Sequence, residues 1–141
     1  MAAIFWDTNL FIYLLEDSPG LGEAVAQIRR RMLQRHDQLV TSALTVGEVL
    51  VKPLSIGNAA LADRYRAFFQ PSHLTVCGFD IAAAEAYSRI RQDRTIRPAD
   101  AIQLACAASA EIDLFVTNDD RLSKKNIEGI QFITSLSRAP I

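Results

Sequence analysis

The stretch Ile4-Phe5-Trp6-Asp7-Thr8-Asn9 decides the reading of this chain. Three large apolar residues read as a short buried strand. The aspartate closes it, and Thr8 to Glu16 follows as a helix ended by Asp17-Ser18-Pro19-Gly20. The same alternation recurs downstream. Leu21, Val25, Ile28 and Met32 have helical spacing. Leu39-Val40-Thr41 is a second strand, followed by a helix from about Thr45 to Lys52 that Pro53 should stop. Leu61, Tyr65, Phe68 and Phe69 mark another helix. Leu74-Thr75-Val76-Cys77 is a third strand, and Asp80 is placed to cap the helix carrying Ala83, Tyr87 and Ile90. The helix opened by Pro98 is apolar almost all round and belongs in a core. Leu114-Phe115-Val116 and Ile130-Gln131-Phe132-Ile133 complete five strands. Strands separated by helices pair in parallel through right-handed crossovers, so the expected class is α/β, with the sheet covered on both faces.

Composition bounds the rest. A chain of 141 residues, 50% hydrophobic and 22% charged, is globular in type and long enough for a core without staples. Neither a repeat nor a linker divides it, so residues 1–141 are expected to form one domain. The net charge of −1 removes any argument from bulk basicity for nucleic-acid binding. Cys77 and Cys106 lie too far apart for a zinc or redox motif and read as small buried hydrophobes in a reducing cytoplasm. No run approaches the ~20 apolar residues that span a bilayer.

Ligands of parallel sheets bind beyond the carboxyl ends of the strands. Asp7 closes the first strand, and Asp119 and Asp120 follow the fourth; Glu48 and Asp100 open helices that start at the same edge. Each acid also has a purely structural use. Asp7 and Asp119 suit helix caps. Thr45-x-x-Glu48 matches a capping box, and Asp100 sits in a first helical turn just after a proline. Jointly they ask for more. Carboxylates about 4 Å apart repel by about 4 kcal/mol per pair at an effective dielectric near 20. Gathered acids therefore call for a cation or a proton. Oxygen-only sites suit Mg²⁺ or Mn²⁺, whereas His36 and His73 have no ligand spacing for zinc.

The segments Asp7-Thr8-Asn9, Thr45-x-x-Glu48, Arg97-Pro98-Ala99-Asp100-Ala101-Ile102-Gln103-Leu104-Ala105 and Val116-Thr117-Asn118-Asp119 resemble the PIN domain. Within it they are most similar to the VapC ribonuclease toxins of toxin–antitoxin pairs, over essentially the whole chain. The resemblance implies a three-layer α/β/α fold around a five-stranded parallel sheet, and Mg²⁺- or Mn²⁺-dependent cleavage of RNA. It implies an acidic quartet of Asp7, Glu48, Asp100 and Asp119, with Asp7 and Asp100 the firmest metal ligands. Thr8, Asn9, Thr117 and Asn118 would fix the carboxylate rotamers, and Asp120 would cap a helix or substitute as a ligand. It also implies a VapB-like antitoxin partner, a homodimer and a cytoplasmic protein without membrane contact.

Substrate contact is the least legible property. Arg94 and Arg97 lead into Asp100 and are the better candidates for a phosphate clamp; Arg29, Arg30, Arg31 and Arg35 form a second group. Trp6 and Tyr13 are available for base stacking but suit core packing better. A haloacid-dehalogenase-like phosphatase also begins with a strand ending in Asp, yet it needs a second acid two residues on, where this chain has Asn9. A phospho-receiver domain needs a lysine after the last strand, and Ile130 to Ser135 has none. A non-catalytic RNA-binding module of the same fold is the remaining alternative.

Overall fold

The computed structural model describes residues 1–141. Strand β1 (Ala3–Trp6) leads into α1 (Thr8–Leu15) and α2 (Leu21–Arg35), and β2 (Gln38–Ser42) into α3 (Ala43–Ser55) and α4 (Ala59–Phe68). Strand β3 (Thr75–Cys77) precedes α5 (Ile81–Ile90) and α6 (Pro98–Ser109). Strand β4 (Leu114–Thr117) is followed by a 3₁₀ turn at Leu122–Lys124, and β5 (Phe132–Ser135) by another at Leu136–Arg138. All strands are parallel, in the order β3-β2-β1-β4-β5.

Successive strand residues face opposite layers, and the core divides accordingly. Ile4, Trp6, Leu39, Leu114 and Val116 pack with Leu10, Phe11, Val25, Met32 and Tyr65 on the face covered by α1 to α4. Phe5, Val40 and Phe115 pack beneath α5 and α6 on the other face. Phe5 and Phe115, paired in register across β1 and β4, stack with centroids 5.0 Å apart. Trp6 is fully buried against Phe11, so it packs the core and is closed to a base.

The sequence misplaces several boundaries, with α3 opening at Ala43 instead of Thr45 and β3 at Thr75 instead of Leu74. Helix α3 runs through Pro53 to Ser55. A proline removes a single N–H, and the turn beyond it is closed by the Ile56 N–H on the Lys52 carbonyl (3.1 Å) and the Asn58 N–H on that of Pro53 (2.8 Å). The last strand begins at Phe132, because Ile130 is a buried residue of the preceding turn.

From β1 the chain steps outward through β2 to β3, then crosses back over the sheet to β4 on the other side of β1. The direction of winding reverses between β1 and β4, so their carboxyl ends border the crevice where such sheets bind ligands. At the amino edge, Asp37 and Asp113 are consumed by backbone, accepting from the N–H groups of Ala2 (2.9 Å) and Ala3 (2.8 Å).

Candidate active site

Asp7 stands at that crevice. One carboxylate oxygen accepts from the Thr8 N–H (2.7 Å) and the other from the Thr117 hydroxyl (2.9 Å). Both donors are neutral. Burial pushes the carboxyl up to about 6, and the negative charges of Asp100 and Glu48 push the same way, against the lowering by the two hydrogen bonds. Asp7 thus does cap α1, as its structural reading allowed, while sharing its field with two other acids.

The capping box at Thr45 does not form. Ser42 is the N-cap, its hydroxyl accepting from the Thr45 N–H at 3.4 Å. Thr45 is buried one turn in, and Glu48 instead accepts from the Thr8 hydroxyl at 2.6 Å. That hydroxyl belongs to a buried polar network centred on Gln103 of α6. The Gln103 amide nitrogen donates to Thr8 (2.9 Å) and Thr45 (2.8 Å), and its carbonyl accepts from Ser42. Thr41 donates to the Trp6 carbonyl at 2.9 Å and lies 2.9 Å from the Thr45 hydroxyl. Three separate stretches of chain, at Trp6–Thr8, Thr41–Thr45 and Gln103, are locked together beneath Glu48 and Asp7.

Asp100 and Asp119 form the other half. Burial raises the Asp100 carboxyl, Arg97 pulls it back, and Asp119 and Glu48 add repulsion. Asp119 accepts three bonds from Arg121: the backbone N–H at 2.9 Å, Nε at 3.3 Å and a terminal guanidinium nitrogen at 3.1 Å. These bonds hold its carboxyl below the usual range. Arg97 reaches Asp100 at 3.7 Å and Asp119 at 3.9 Å, beyond hydrogen-bond distance.

The remaining expected residues divide. Thr8 and Thr117 touch the acids, and Thr117 also accepts the Asp119 N–H at 3.1 Å. Asn118 donates to the Tyr13 hydroxyl (3.0 Å), so it holds α1 and no carboxylate. Asn9 is exposed without a side-chain bond. Asp120 is exposed too and caps nothing, since the following turn begins at Arg121 with no side-chain cap. Arg94 is exposed and unpaired, whereas Arg97 is spent on acids. On α2, Arg29 is bound to the His73 carbonyl, Arg30 to Glu23, Arg31 to the Ile141 carbonyl and Arg35 to Asp37. None of these four reaches the acidic edge. Sequence reasoning missed Gln103, Arg121 and Lys124. The run Arg121-Leu122-Ser123-Lys124-Lys125, three cations directly after two acids, was the available signal for the latter pair.

The donor set is all oxygen and fits a hard divalent cation. As they stand, no three of the acids draw tightly enough together to enclose an ion. A Mg²⁺-like ion requires only one or two carboxylates, with water completing its shell. Asp7 fits that need best, because neither it nor Glu48 is paired with any lysine or arginine, while Arg97 and Arg121 neutralise the Asp100–Asp119 side.

Residues 4–128 match the family described as PIN domain. The chain is similar in structure to a chain of DNA-bound VapBC from Salmonella typhimurium, with 24% identity, TM-score 0.67, and coverage of 96% of this chain and 99% of that one. It is similar to one of VapBC2 from Rickettsia felis bound to a promoter DNA fragment (13%, TM-score 0.69, 94% and 98%). A toxin–antitoxin complex from Klebsiella pneumoniae is a third (23%, TM-score 0.66, 92% and 95%). At such identities the likeness is one of fold. Comparison with curated proteins finds no match.

Proposed function

The chain belongs to the PIN domain family, and from that membership we propose that it is a metal-dependent endoribonuclease of the VapC kind. One observation carries the reading: Asp7 lies at the reversal point of the sheet with its carboxyl at about 6, in the field of Glu48 and Asp100 and without a cation of its own. A Mg²⁺ or Mn²⁺ ion held there by Asp7 and Asp100, with Glu48 and Asp119 completing the shell or orienting water, would activate that water and stabilise an in-line displacement at phosphorus.

The protein's own residues contribute position and charge. Thr117 and the Thr8 N–H fix both oxygens of Asp7, so the carboxylate meets a cation without rotating. Gln103 holds the Thr8 hydroxyl, which in turn aims Glu48. A covalent route lacks a nucleophile. The Cys106 thiol is buried and pushed up to about 11, and Cys77 is also raised by burial. His36 ends α2 and His73 stacks on Phe68, so neither faces a serine or cysteine as a base.

The proposal includes an inhibitory antitoxin of the VapB kind, supported by neighbours solved as toxin–antitoxin complexes. It also includes a homodimer acting in the cytoplasm; no helix is long and apolar enough to cross a membrane. Light scattering reports the dimer, and co-purification with the product of an adjacent gene reports the antitoxin. The deciding experiment incubates the purified protein with mixed RNA and Mn²⁺, with or without chelator, beside Asp7→Asn. Fragments are expected only from the unaltered protein with metal. Cleavage that survives chelation, or that Asp7→Asn retains, would end the proposal; retarded but intact RNA would favour a binding module.

A further inference from the structure

Arg121 has two possible engagements. Its side chain is 69% exposed, and all its bonds go to Asp119. It also lines a cleft of about 340 Å³ that opens beside the acids, walled by Asp100, Asp119, Thr95, Lys124 and Lys125. Lys125 is tied to Asp93 at 2.9 Å and Thr95 at 2.8 Å, and Lys124 is exposed without a partner. The cleft therefore presents one free cation, Lys124, and a second, Arg121, whose side chain is held by Asp119 alone, directly against the acidic edge.

We propose that this cleft is a subsite for a backbone phosphate of the RNA next to the cleaved bond, and that Arg121 leaves Asp119 to bind it. The inference rests on the ribonuclease reading and adds where the strand runs and how Asp119 is released. A guanidinium binds phosphate as readily as carboxylate, through the same two-pronged geometry. An exposed ion pair is worth little, so exchanging one anion for the other is nearly free. The exchange has a consequence for the metal. While Arg121 covers both oxygens of Asp119, that carboxylate is poorly placed to serve a cation. Once the Arg121 side chain turns to the phosphate, Asp119 Oδ2 is open and Oδ1 keeps only the backbone N–H bond. Nucleic acid and metal then favour each other's binding, and such coupling must be reciprocal.

The experiment measures Mn²⁺ affinity by calorimetry on the full chain, with and without a short, cleavage-resistant phosphorothioate oligoribonucleotide. Wild type, Arg121→Ala and Asp7→Asn are compared. Arg121→Ala is expected to bind Mn²⁺ about fivefold more tightly without oligonucleotide. The enhancement brought by the oligonucleotide should shrink by the same factor, because no latch is left to open. Oligonucleotide binding by Arg121→Ala should weaken, with its salt slope reduced by about one. Unchanged Mn²⁺ affinity in Arg121→Ala overturns the proposal. So does a raised affinity with undiminished enhancement, which would mark simple loss of a nearby charge. If instead Asp7→Asn binds Mn²⁺ and cleaves RNA as the wild type does, the ribonuclease reading itself fails, a result separate from either outcome at Arg121.

Discussion

The two halves of the acidic edge are built on opposite principles. Around Asp7 and Glu48, every polar contact comes from a neutral donor of buried Thr8 or Thr117, and Gln103 braces the Thr8 hydroxyl. Around Asp119, the contacts come from arginines whose side chains are mostly in water. The first half is rigid and unneutralised; the second is neutralised and loose. A carboxylate held by neutral groups keeps its full charge for an incoming cation, whereas one held by a guanidinium has already found its counter-ion. The division suits a site in which one acid waits for metal and the other is uncovered later.

Asp7→Asn tests the contrast most severely. Activity should fall by at least about a thousandfold, as expected when a preorganised group at the reacting centre is lost. The same change should stabilise the metal-free fold. Between pH about 4 and 6 the folded protein keeps a proton on Asp7 that the unfolded chain has shed, so stability falls as pH rises through that window. Above it, the ionised carboxylate costs up to about 3 kcal/mol. Asp7→Asn should remove this loss, giving a higher melting temperature at pH 8 and no gain at pH 4. Equal melting at both would show that Asp7 is not strained by burial.

Gln103→Leu is the next largest. It takes the acceptor from the buried Ser42 hydroxyl and a donor from each of the Thr8 and Thr45 hydroxyls, and should cost about 3 kcal/mol in denaturant unfolding. A loss below about 1 kcal/mol would mean the network is not the brace described. Thr8→Val keeps the shape, removes the bond to Glu48 and takes from the Gln103 amide one of its two acceptors. It should lower activity about 10- to 100-fold and cost the fold about 1 kcal/mol, less than Gln103→Leu. Arg97→Ala marks the loose half: stability should move by no more than about 0.5 kcal/mol, since its contacts at 3.7 and 3.9 Å are solvated. A larger drop would make the two halves alike.

One acid of each half, Asp7 and Asp100, was legible in sequence. A strand that ends in Asp and a helix that opens with Pro98-Ala99-Asp100 place their acids by local rules, and local rules are what periodicity and capping encode. The five-stranded parallel sheet needed only the alternation of elements together with the family resemblance, whereas the strand order that opens the crevice between β1 and β4 came from the structure. What escaped is tertiary. Gln103 lies within an apolar helical run, and nothing local distinguishes a glutamine that bonds three hydroxyls from one facing water. Thr45-x-x-Glu48 has the spacing of a capping box, yet Ser42 took the cap because β2 delivers it there, which freed Glu48 to meet Thr8 across 40 residues. Arg121 was legible as a charge but not as the partner of Asp119. Arg94 and Arg97 were singled out by nearness in sequence to Asp100, and only Arg97 is near it in space with a partner.

The central place of β1 carries a consequence for biosynthesis. Asp7 is made long before its partners: the hydroxyl that fixes it is 110 positions later, and the amide that holds Thr8 is 95 positions later. Until β4 slots in beside β1, the carboxylate has neither its clamp nor its buried setting. The candidate site therefore stays unassembled in a nascent chain until β4 has emerged and docked.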